Sequence, residues 1–535
     1  MGIGEGAFVF AAYRRLAELG ASPNDAQRQL YGTEIDTLAY EEFSRSARDQ
    51  NLEFPYLRNA DFFEADFPLV DAVIGNPPYV RRTSIEDVFH IRQAVIDRNS
   101  EITEKDLHRL TDLYVYFLLY ALPFLKPGGK LAVITADPWL NTGYGERLRK
   151  YLLDNFELEH LVNFDRRVFD NAQVRPLLIM ATRVTASNAK KKIQFLRVKN
   201  GLPISRLANM INTYDTADPN LSTIHLEGKE LDPANTWDIH FKAPEIYRRL
   251  ASHNFMAPIS ALAETRVGIQ TLAKDFFVLS PGQAASAGIE PEFLAPLIQS
   301  PRYMSSPVVE YDAPPASYLF YCSKSHNELR GTNALRYIQR GELAEVPVRG
   351  KKISVSGYQN KERIKRSHRR VWYDLKSSVE RRGRAAILVP RLIYRTLSVV
   401  WNRAGFVPGE LFIEFIPPED GYIETYLAIL TSSVAEIMLR AHAHVYGGGT
   451  YNMNPGKFRN VPLVNADKLN KCQREILTQA YLEHVRAARP DRSKIDEIIF
   501  EILGFNAHAR TEILESLEDL QAIPISCKKP GSAAP

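Results

Sequence analysis

The stretch Asp71-Ala72-Val73-Ile74-Gly75-Asn76-Pro77-Pro78-Tyr79 decides the fold and places the chemistry. Its first half is an apolar run of the kind that forms a strand buried in a parallel sheet. Its second half is a loop that two prolines stiffen and an aromatic residue closes. Ligands of open parallel sheets bind at the carboxyl ends of the strands, so we expect a functional site in this loop.

The loop carries neighbouring hydrogen-bond acceptors, the side-chain oxygen of Asn76 and the backbone carbonyl of Pro77, and Pro78 helps to fix their direction. Such a pair suits an amine on an aromatic ring, whose lone pair is delocalised until acceptors bind its hydrogens. Tyr79 offers a flat surface on which a planar base can stack. A tight turn after a core strand is the alternative interpretation of the same residues.

The first 200 residues alternate strand-like and helical runs, the pattern of a doubly wound parallel sheet with helices on both faces. Proline and glycine at 126–129 separate one helix from the next strand. The predicted strands cover 30–35, 71–74, 130–135 and 177–182, and the predicted helices cover 6–19, 113–125 and 144–155. These elements predict an α/β domain over residues 1–235.

The alternation of strand-like and helical runs ends near residue 236, where short mixed segments rich in proline, tyrosine and arginine begin. We therefore expect a second, mixed α+β domain over 236–465. Helical periodicity at 469–488 and 493–503 then predicts a C-terminal helical segment over 466–535. The chain is 45% hydrophobic and 24% charged, which is typical of folded globular proteins rather than disordered ones.

A basic stretch in the second domain indicates a polyanionic partner, although the formal net charge of the whole chain is only +4. Residues 350–395 contain fourteen lysines and arginines against three acidic residues, interleaved with Tyr358, Trp372, Tyr373 and Tyr394. Such cations suit DNA phosphates, and a solvated helix face is the alternative for any one of them. We call residues 350–395 the basic segment.

The remaining composition excludes several classes of protein. The cysteines, Cys322, Cys472 and Cys527, show no paired spacing, so we expect neither a disulfide framework nor a metal site. His442 and His444 lie without a nearby cluster of cysteine or carboxylate ligands. No run approaches the roughly 18 apolar residues that span a bilayer. These features predict a cytoplasmic protein without a membrane partner.

With these residues in view, the chain resembles the amino-methyltransferases, specifically the TaqI-type, gamma-arrangement adenine DNA methylases of type II restriction-modification systems. Residues 4–8, with Gly4 and Gly6, resemble the end of the family's first glycine-rich motif, which lies against the methionine part of S-adenosylmethionine. Residues 32–36 resemble the second motif, which implies that Glu34 binds the ribose hydroxyls. Residues 59–62 resemble the third, which implies that Asp61 and Phe62 contact the cofactor's adenine.

Residues 168–172 resemble a later motif of the family, which implies that Phe169 covers the other face of a flipped adenine, with Phe164 as a nearby alternative. Residues 267–271 and 446–462 resemble segments of the family's target-recognition domain. The resemblance thus implies a Rossmann-like methyltransferase domain followed by that domain. The family's first motif normally begins with an earlier strand, so we expect the cofactor site of this chain to lack its first strand.

The function implied by the resemblance is site-specific methylation of adenine N6 in double-stranded DNA, with S-adenosylmethionine as the methyl donor. Such an enzyme protects bacterial or archaeal DNA from a companion restriction endonuclease. Similar loops also occur in enzymes that methylate guanine amines of RNA or a glutamine amide of protein, which is one alternative. A DNA-binding specificity protein with an incomplete cofactor site is the other, and a fused nuclease is not expected.

Overall fold

The computed structural model describes residues 2–80, 88–107, 111–164, 176–185, 192–199, 202–214, 217–243, 245–304, 306–348, 353–367, 369–380, 385–445, 450–488 and 490–521. The chain divides into two compact units, Met1–Lys242 and Ala243–Pro535. The division lies a few residues after the domain boundary that the change of sequence rhythm predicts.

Unit 1 is an α/β domain whose helices and strands alternate along the chain. Its helices are α1 (Ala7–Glu18), α2 (Pro23–Arg28), α3 (Thr37–Asp49), α4 (Val88–Arg98), α5 (Leu113–Ala121), α6 (Glu146–Asn155), α7 (Ile204–Thr213) and α8 (Ile239–Lys242). Its strands are β1 (Gly32–Glu34), β2 (Leu57–Asn59), β3 (Val70–Gly75), β4 (Leu125–Ala136), β5 (Phe156–Phe164), β6 (Pro176–Arg183), β7 (Lys192–Val198) and β8 (Leu221–Glu227). The predicted elements of this half are confirmed, with small differences at their ends.

The main sheet of unit 1 has the order β3-β4-β6-β5-β7-β8 among the described residues. Strands β3 and β4 are parallel, as are β5 and β7, whereas β6 runs antiparallel to both of its neighbours. Strand β8 is antiparallel to β7, so the prediction of a parallel sheet is wrong for β6 and β8. The chain between Phe164 and Pro176 is shorter than the dozen or so residues that a parallel crossover needs.

Strands β1 and β2 form a separate parallel pair, in register from Gly32 opposite Leu57 to Glu34 opposite Asn59. Gly2 makes an isolated parallel bridge to Thr33 on the other edge of β1. Within the described part of the chain, no strand pairing joins this pair to the main sheet. Strand β3 is consequently an edge strand, and its Ile74 side chain is 37% exposed.

Helix α5 is the buried centre of unit 1, because all of its residues from Tyr114 to Ala121 are buried. The sequence Leu-Tyr-Val-Tyr-Phe-Leu-Leu-Tyr-Ala is apolar all round, as a helix packed on every side requires. The chain then enters β4 through a bulge, since Val70 pairs with Leu125 but Ala72 pairs with Lys130. The predicted proline-glycine turn is this bulge, in which Gly128 has a φ of 81°.

Unit 2 mixes short helices and strands, as predicted for the second half of the chain. Its helices are α9 (Glu245–Ala251), α10 (Ile259–Leu262), α11 (Lys274–Phe277), α12 (Pro281–Ala287), α13 (Asn333–Leu343), α14 (Glu362–Lys365), α15 (Lys376–Glu380), α16 (Ile423–Thr431), α17 (Ser433–His442), α18 (Pro455–Phe458), α19 (Lys471–Arg486), α20 (Ser493–Ile502) and α21 (Ala507–Gln521).

The strands of unit 2 are short and belong to several sheets. They are β9 (Met256–Pro258), β10 (Glu264–Val267), β11 (Val278–Leu279), β12 (Leu294–Ile298), β13 (Val308–Val309), β14 (Tyr318–Phe320), β15 (Glu345–Pro347), β16 (Ser354–Ser356), β17 (Ile387–Pro390), β18 (Leu392–Ile393), β19 (Val400–Asn402), β20 (Val407–Pro408), β21 (Phe412–Ile416), β22 (His444–Val445), β23 (Tyr451–Asn452) and β24 (Pro462–Val464). The two larger sheets have the orders β10-β21-β17-β19-β13 and β11-β14-β12-β20.

The helices predicted near the C-terminus, α19 and α20, pack with α16, α17 and α21 in one hydrophobic core of unit 2. The predicted C-terminal helical segment is therefore part of this unit's core. No single described helix is long and apolar enough to cross a membrane. The bent pair Asp420–Thr431 and Ser433–His442 meets that test of length and composition only when its two helices are taken together.

Candidate active site

The predicted catalytic loop leaves β3 directly, because Gly75 is the last residue of the strand and pairs with Val133 of β4. Pro77 is buried and Pro78 is exposed, so the loop is anchored on one side and open on the other. The side-chain Oδ1 of Asn76 is buried and has no hydrogen-bond partner among the described residues. A buried acceptor without a donor is costly, and such atoms are characteristic of sites that await a ligand.

Tyr79 is held by packing rather than by its hydroxyl. Its ring lies edge-on to Tyr114, with ring centroids 6.5 Å apart and planes at 81°. Its hydroxyl is buried without a partner among the described residues. Burial raises the pKa of Tyr79 far above its ordinary value, so the side chain stays a neutral phenol.

The loop is also tied to α5 by its backbone, since the Leu113 amide donates to the Val80 carbonyl at 3.1 Å. Residues 81–87 and 165–175 lie outside the described residues, and the predicted stacking residue Phe169 is among them. Its role therefore stays a prediction.

Glu34 is at the centre of the residues predicted to bind a cofactor. Its Oε2 accepts from the Gly4 amide at 2.8 Å, and its Oε1 accepts from the Asp36 amide at 3.0 Å. These two bonds fix the carboxylate at the carboxyl end of β1, while each oxygen keeps lone pairs for further donors. Gly4 and Glu34, predicted from separate motifs, are thus in direct contact.

The two predicted glycines have backbone conformations that other residues rarely adopt. Gly4 has a φ of 54° and Gly6 a φ of 92°, and Gly6 precedes the first turn of α1. A side chain at Gly6 would collide with the ring of Phe43, only 2.5 Å from where its Cβ would lie. At Gly4 the same position faces open space, which leaves room for a ligand beside the backbone.

Asp61 lies next to Glu34, because the Ala60 amide donates to the Glu34 carbonyl at 3.0 Å. The Oδ1 atom of Asp61 accepts from the Phe63 amide at 2.9 Å, which fixes the carboxylate at the start of a short turn. Gly4, Glu34 and Asp61 are therefore brought together at the ends of β1 and β2, as their predicted shared role requires.

Phe62 does not fit the role predicted for it. The ring is 5% exposed and stacks on Phe117 with centroids 4.9 Å apart and planes at 3°. Tyr120 and Phe63 pack against its edges. With so little free surface, Phe62 supports the Asp61 turn from the core, and we correct the expectation that it lies against the cofactor's adenine.

Helix α5 joins the two groups of predicted residues. Tyr114 contacts Tyr79, and Phe117 contacts Phe62, the neighbour of Asp61. Positions three apart on a helix lie on one face about one turn from each other. The predicted catalytic loop and the turn that contains Asp61 therefore pack against the same face of one buried helix.

Two further side chains belong to this region but were not predicted as site residues. Asp112 accepts from the Tyr144 hydroxyl at 2.8 Å, and the hydroxyls of Tyr144 and Tyr114 are 3.3 Å apart. The sequence predicts Tyr114 and Tyr144 only as parts of helices, and Asp112 as the residue before the first of these. An aspartate immediately before an aromatic helix is the signal that could have marked them.

In unit 2 the described residues of the basic segment include two kinds of cation. Arg363, Lys365 and Arg366 are exposed on and beside α14. Arg369 instead donates to the backbone carbonyls of Trp372 and Thr271, so it has a structural role. The predicted interleaved aromatics are also structural in part, because Trp372 packs on Phe276 with ring centroids 4.7 Å apart.

The arrangement in unit 1 fits S-adenosylmethionine at the positions just described. Open space beside Gly4 admits a ligand next to a backbone turn. The fixed carboxylate of Glu34 suits a pair of ribose hydroxyls, and that of Asp61 suits an amine donor. The fold and this site define the class as a Rossmann-like, S-adenosylmethionine-dependent methyltransferase with a second mixed domain.

Comparison with known proteins makes the class more specific. Residues 22–169 match the family model "Eco57I restriction-modification methylase", and residues 239–499 match "Type II methyltransferase M.Eco57I, C-terminal domain". The type II methyltransferase M.AccI of Acinetobacter calcoaceticus is 24% identical over 81% of this chain and 76% of its own length. M.BstVI of Geobacillus stearothermophilus is 24% identical over 94% of this chain and 92% of its own length.

A solved structure of the type IIL restriction-modification enzyme MmeI in complex with DNA shares the fold, with a TM-score of 0.57 and 12% identity. The match covers 98% of this chain and 72% of that one. Together with the family models, the relatives support a methyltransferase of a type II restriction-modification system.

Proposed function

We propose that the chain transfers a methyl group to the exocyclic N6 amine of an adenine extruded from double-stranded DNA. The observation that carries this proposal is the buried, unpaired Oδ1 of Asn76 at the end of β3. It is an acceptor that the described residues leave for a donor from outside the protein. An amine supplies that donor, whereas a carbonyl or phosphate oxygen does not.

The role of the loop follows from the chemistry of an aromatic amine. Asn76 Oδ1 and the Pro77 carbonyl each accept a hydrogen bond from one N6 hydrogen. These two bonds draw the nitrogen lone pair out of conjugation with the purine ring. The bound cofactor supplies a methyl group on a positively charged sulfur. Transfer would form the N–C bond as the S–C bond breaks, and the nitrogen would then lose a proton to water, which leaves a neutral methylated amine and a neutral thioether.

Tyr79 contributes a stacking surface for the extruded base. Tyr79 is a neutral phenol three residues after Asn76, so its ring can lie flat against a purine. Such stacking is worth about 1–3 kcal/mol per base. Phe169 is proposed to cover the opposite face. Gly4, Glu34 and Asp61 are proposed to hold the cofactor, and the exposed cations of the basic segment to contact DNA phosphates.

The proposed biological role is protection of cellular DNA, in the cytoplasm of a bacterium or archaeon, from a companion restriction endonuclease. The relatives that match over most of the chain are type II methyltransferases, which supports this setting. A second unit that carries exposed cations and follows the methyltransferase domain in the sequence also favours a large polyanionic substrate over a protein amide.

The test is to map methylated bases in DNA from cells that express the chain. We expect N6-methyladenine within one recurring sequence, and none in cells that express Asn76→Ala. In vitro, duplex DNA, RNA and a glutamine-containing peptide compete for labelled methyl groups, and duplex DNA should win. Methylated cytosine, transfer to RNA or peptide alone, or equal labelling by Asn76→Ala would contradict the proposal.

A further inference from the structure

Behind Tyr79, three polar side chains form a connected chain of hydrogen bonds. The Tyr144 hydroxyl donates to Asp112 Oδ2 at 2.8 Å, and it lies 3.3 Å from the hydroxyl of Tyr114. The chain starts at the N-terminus of α5 and reaches the segment that precedes α6. Tyr114 is only 1% exposed, so solvent does not replace its partner.

Asp112 has an unusual role for a residue at its position. It is the N-cap of α5, where an aspartate ordinarily accepts from the second or third amide of the helix and contributes about 1 kcal/mol. Its side chain makes no such capping bond. The carboxylate is turned to Tyr144 instead, so the geometry favours holding Tyr144 over capping the helix.

The first turn of α5, which carries Tyr114, contacts the catalytic loop at two points. The ring of Tyr114 lies edge-on to that of Tyr79 at 6.5 Å, and the Leu113 amide donates to the Val80 carbonyl. The hydroxyl of Tyr79 has no partner among the described residues, so nothing on that side chain fixes its own ring plane. The orientation of the ring therefore depends on what it packs against, and Tyr114 is an aromatic ring that the structure places edge-on to it.

Resting on the proposed function, we propose that Tyr144 and Asp112 are positioning residues that fix Tyr79, through Tyr114, in the plane in which it stacks on the target base. Directional hydrogen bonds hold the Tyr114 ring in one rotamer, and the ring in turn blocks rotation of Tyr79. Burial, then the neighbouring Tyr144 and after it the charge of Asp112, raise the pKa of Tyr114 far above its ordinary value, so Tyr114 remains a protonated partner.

The first experiment measures the ring directly and does not depend on catalysis. 3-Fluorotyrosine is placed at position 79, and its fluorine resonance is recorded in the full chain and in Tyr144→Phe. We expect one sharp resonance in the parent protein and a shifted or exchange-broadened resonance in the variant. Tyr151→Phe, which removes another buried phenol hydroxyl of unit 1, is the matched control and should leave the resonance unchanged.

The second experiment asks whether this order matters for the reaction. With the recognition sequence known from mapping, 2-aminopurine replaces the target adenine, and its fluorescence reports stacking of the extruded base. For Tyr144→Phe we expect altered 2-aminopurine fluorescence and a kcat about tenfold lower, with unchanged cofactor affinity and melting temperature. Asp112→Asn, which keeps an acceptor for Tyr144, should lose less activity than Asp112→Ala.

The outcomes separate the two proposals. If the parent protein methylates no DNA, the proposed function fails, while the fluorine resonance still tests the positioning of Tyr79. If the parent protein methylates DNA but Tyr144→Phe matches it in fluorine resonance, 2-aminopurine fluorescence and kcat, the positioning proposal is overturned. A uniform loss of stability in Tyr144→Phe, with an unchanged fluorine resonance, also overturns it.

Discussion

Replacement of Asn76 by alanine should lower activity and raise stability at the same time. In the free protein the Oδ1 atom is buried without a partner, and an unpaired buried acceptor costs about 1–3 kcal/mol. Alanine removes that atom and loses only a few packing contacts. We therefore expect a net stabilisation of about 1 kcal/mol, which for a unit the size of Met1–Lys242 corresponds to a rise of roughly 2–4 °C in Tm.

The effect on catalysis has the opposite sign. In the proposed reaction Oδ1 accepts a hydrogen bond from an amine that becomes positively charged. Loss of one such preorganised partner raises the activation free energy by about 3–4 kcal/mol. The corresponding fall in kcat is roughly 10²–10³-fold. Cofactor affinity should not change, because Glu34 and Asp61, rather than Asn76, are proposed to hold the cofactor.

Two assays decide this prediction: differential scanning calorimetry, and single-turnover transfer of labelled methyl groups to duplex DNA. Asn76→Asp is the matched variant, since it keeps an acceptor but buries a charge. It should retain more activity than Asn76→Ala and melt below the parent protein. The reasoning is refuted if Asn76→Ala melts several degrees lower while losing activity, because Asn76 is then structural, or if its transfer rate is unchanged.

The other predictions concern the cofactor residues, the basic segment and the buried tyrosines. Glu34→Ala should weaken S-adenosylmethionine binding roughly 30-fold in calorimetric titration, because the lost charged hydrogen bonds are worth about 2 kcal/mol. The control Glu42→Ala, at an exposed position, should leave binding unchanged. Combined Arg363→Ala, Lys365→Ala and Arg366→Ala should reduce the salt dependence of DNA binding, measured by fluorescence anisotropy, and unchanged slopes would argue against phosphate contacts there. Burial raises the pKa of Tyr426 to about 12, so the stability that it contributes as a neutral phenol is complete below pH 10 and lost as the pH rises towards 12. Urea unfolding at pH 8 and pH 11 should therefore show an alkaline loss of stability that is smaller in Tyr426→Phe than in the parent protein by about 1.4 kcal/mol, one pKa unit of linkage.

The position of the proposed catalytic loop after a strand could be predicted from sequence because its signals are local. An apolar strand, two prolines and a tyrosine follow one another within residues 71–79. Gly4, Glu34 and Asp61 were predicted from separate motifs, and their convergence follows from where β1 and β2 end. Parallel strands place their carboxyl ends at one edge, so spacing along the chain becomes proximity in space.

Other features could not be predicted because they depend on tertiary contacts. The direction of β6 is not encoded by its apolar pattern, which is the same for either orientation. The pattern around Phe62 shows an aromatic residue beside Asp61 but not the Phe117 ring that covers it. The bond between Asp112 and Tyr144 joins positions 32 residues apart. An aspartate before an aromatic helix marks Asp112 in the sequence, but nothing in the sequence connects it with Tyr144.

The separation of β1 and β2 from the main sheet has a consequence for how ligands act on this fold. Aromatic packing, including Phe62 against Phe117, connects the two parts without a shared ladder of strand hydrogen bonds among the described residues. A ligand that Glu34 binds on one side and that faces Asn76 on the other would connect the β1–β2 pair to β3, where the described residues form no strand hydrogen bonds. Occupancy should then slow hydrogen–deuterium exchange in β1 and β2 more than in β5 or β7, because local opening of that pair requires release of the ligand.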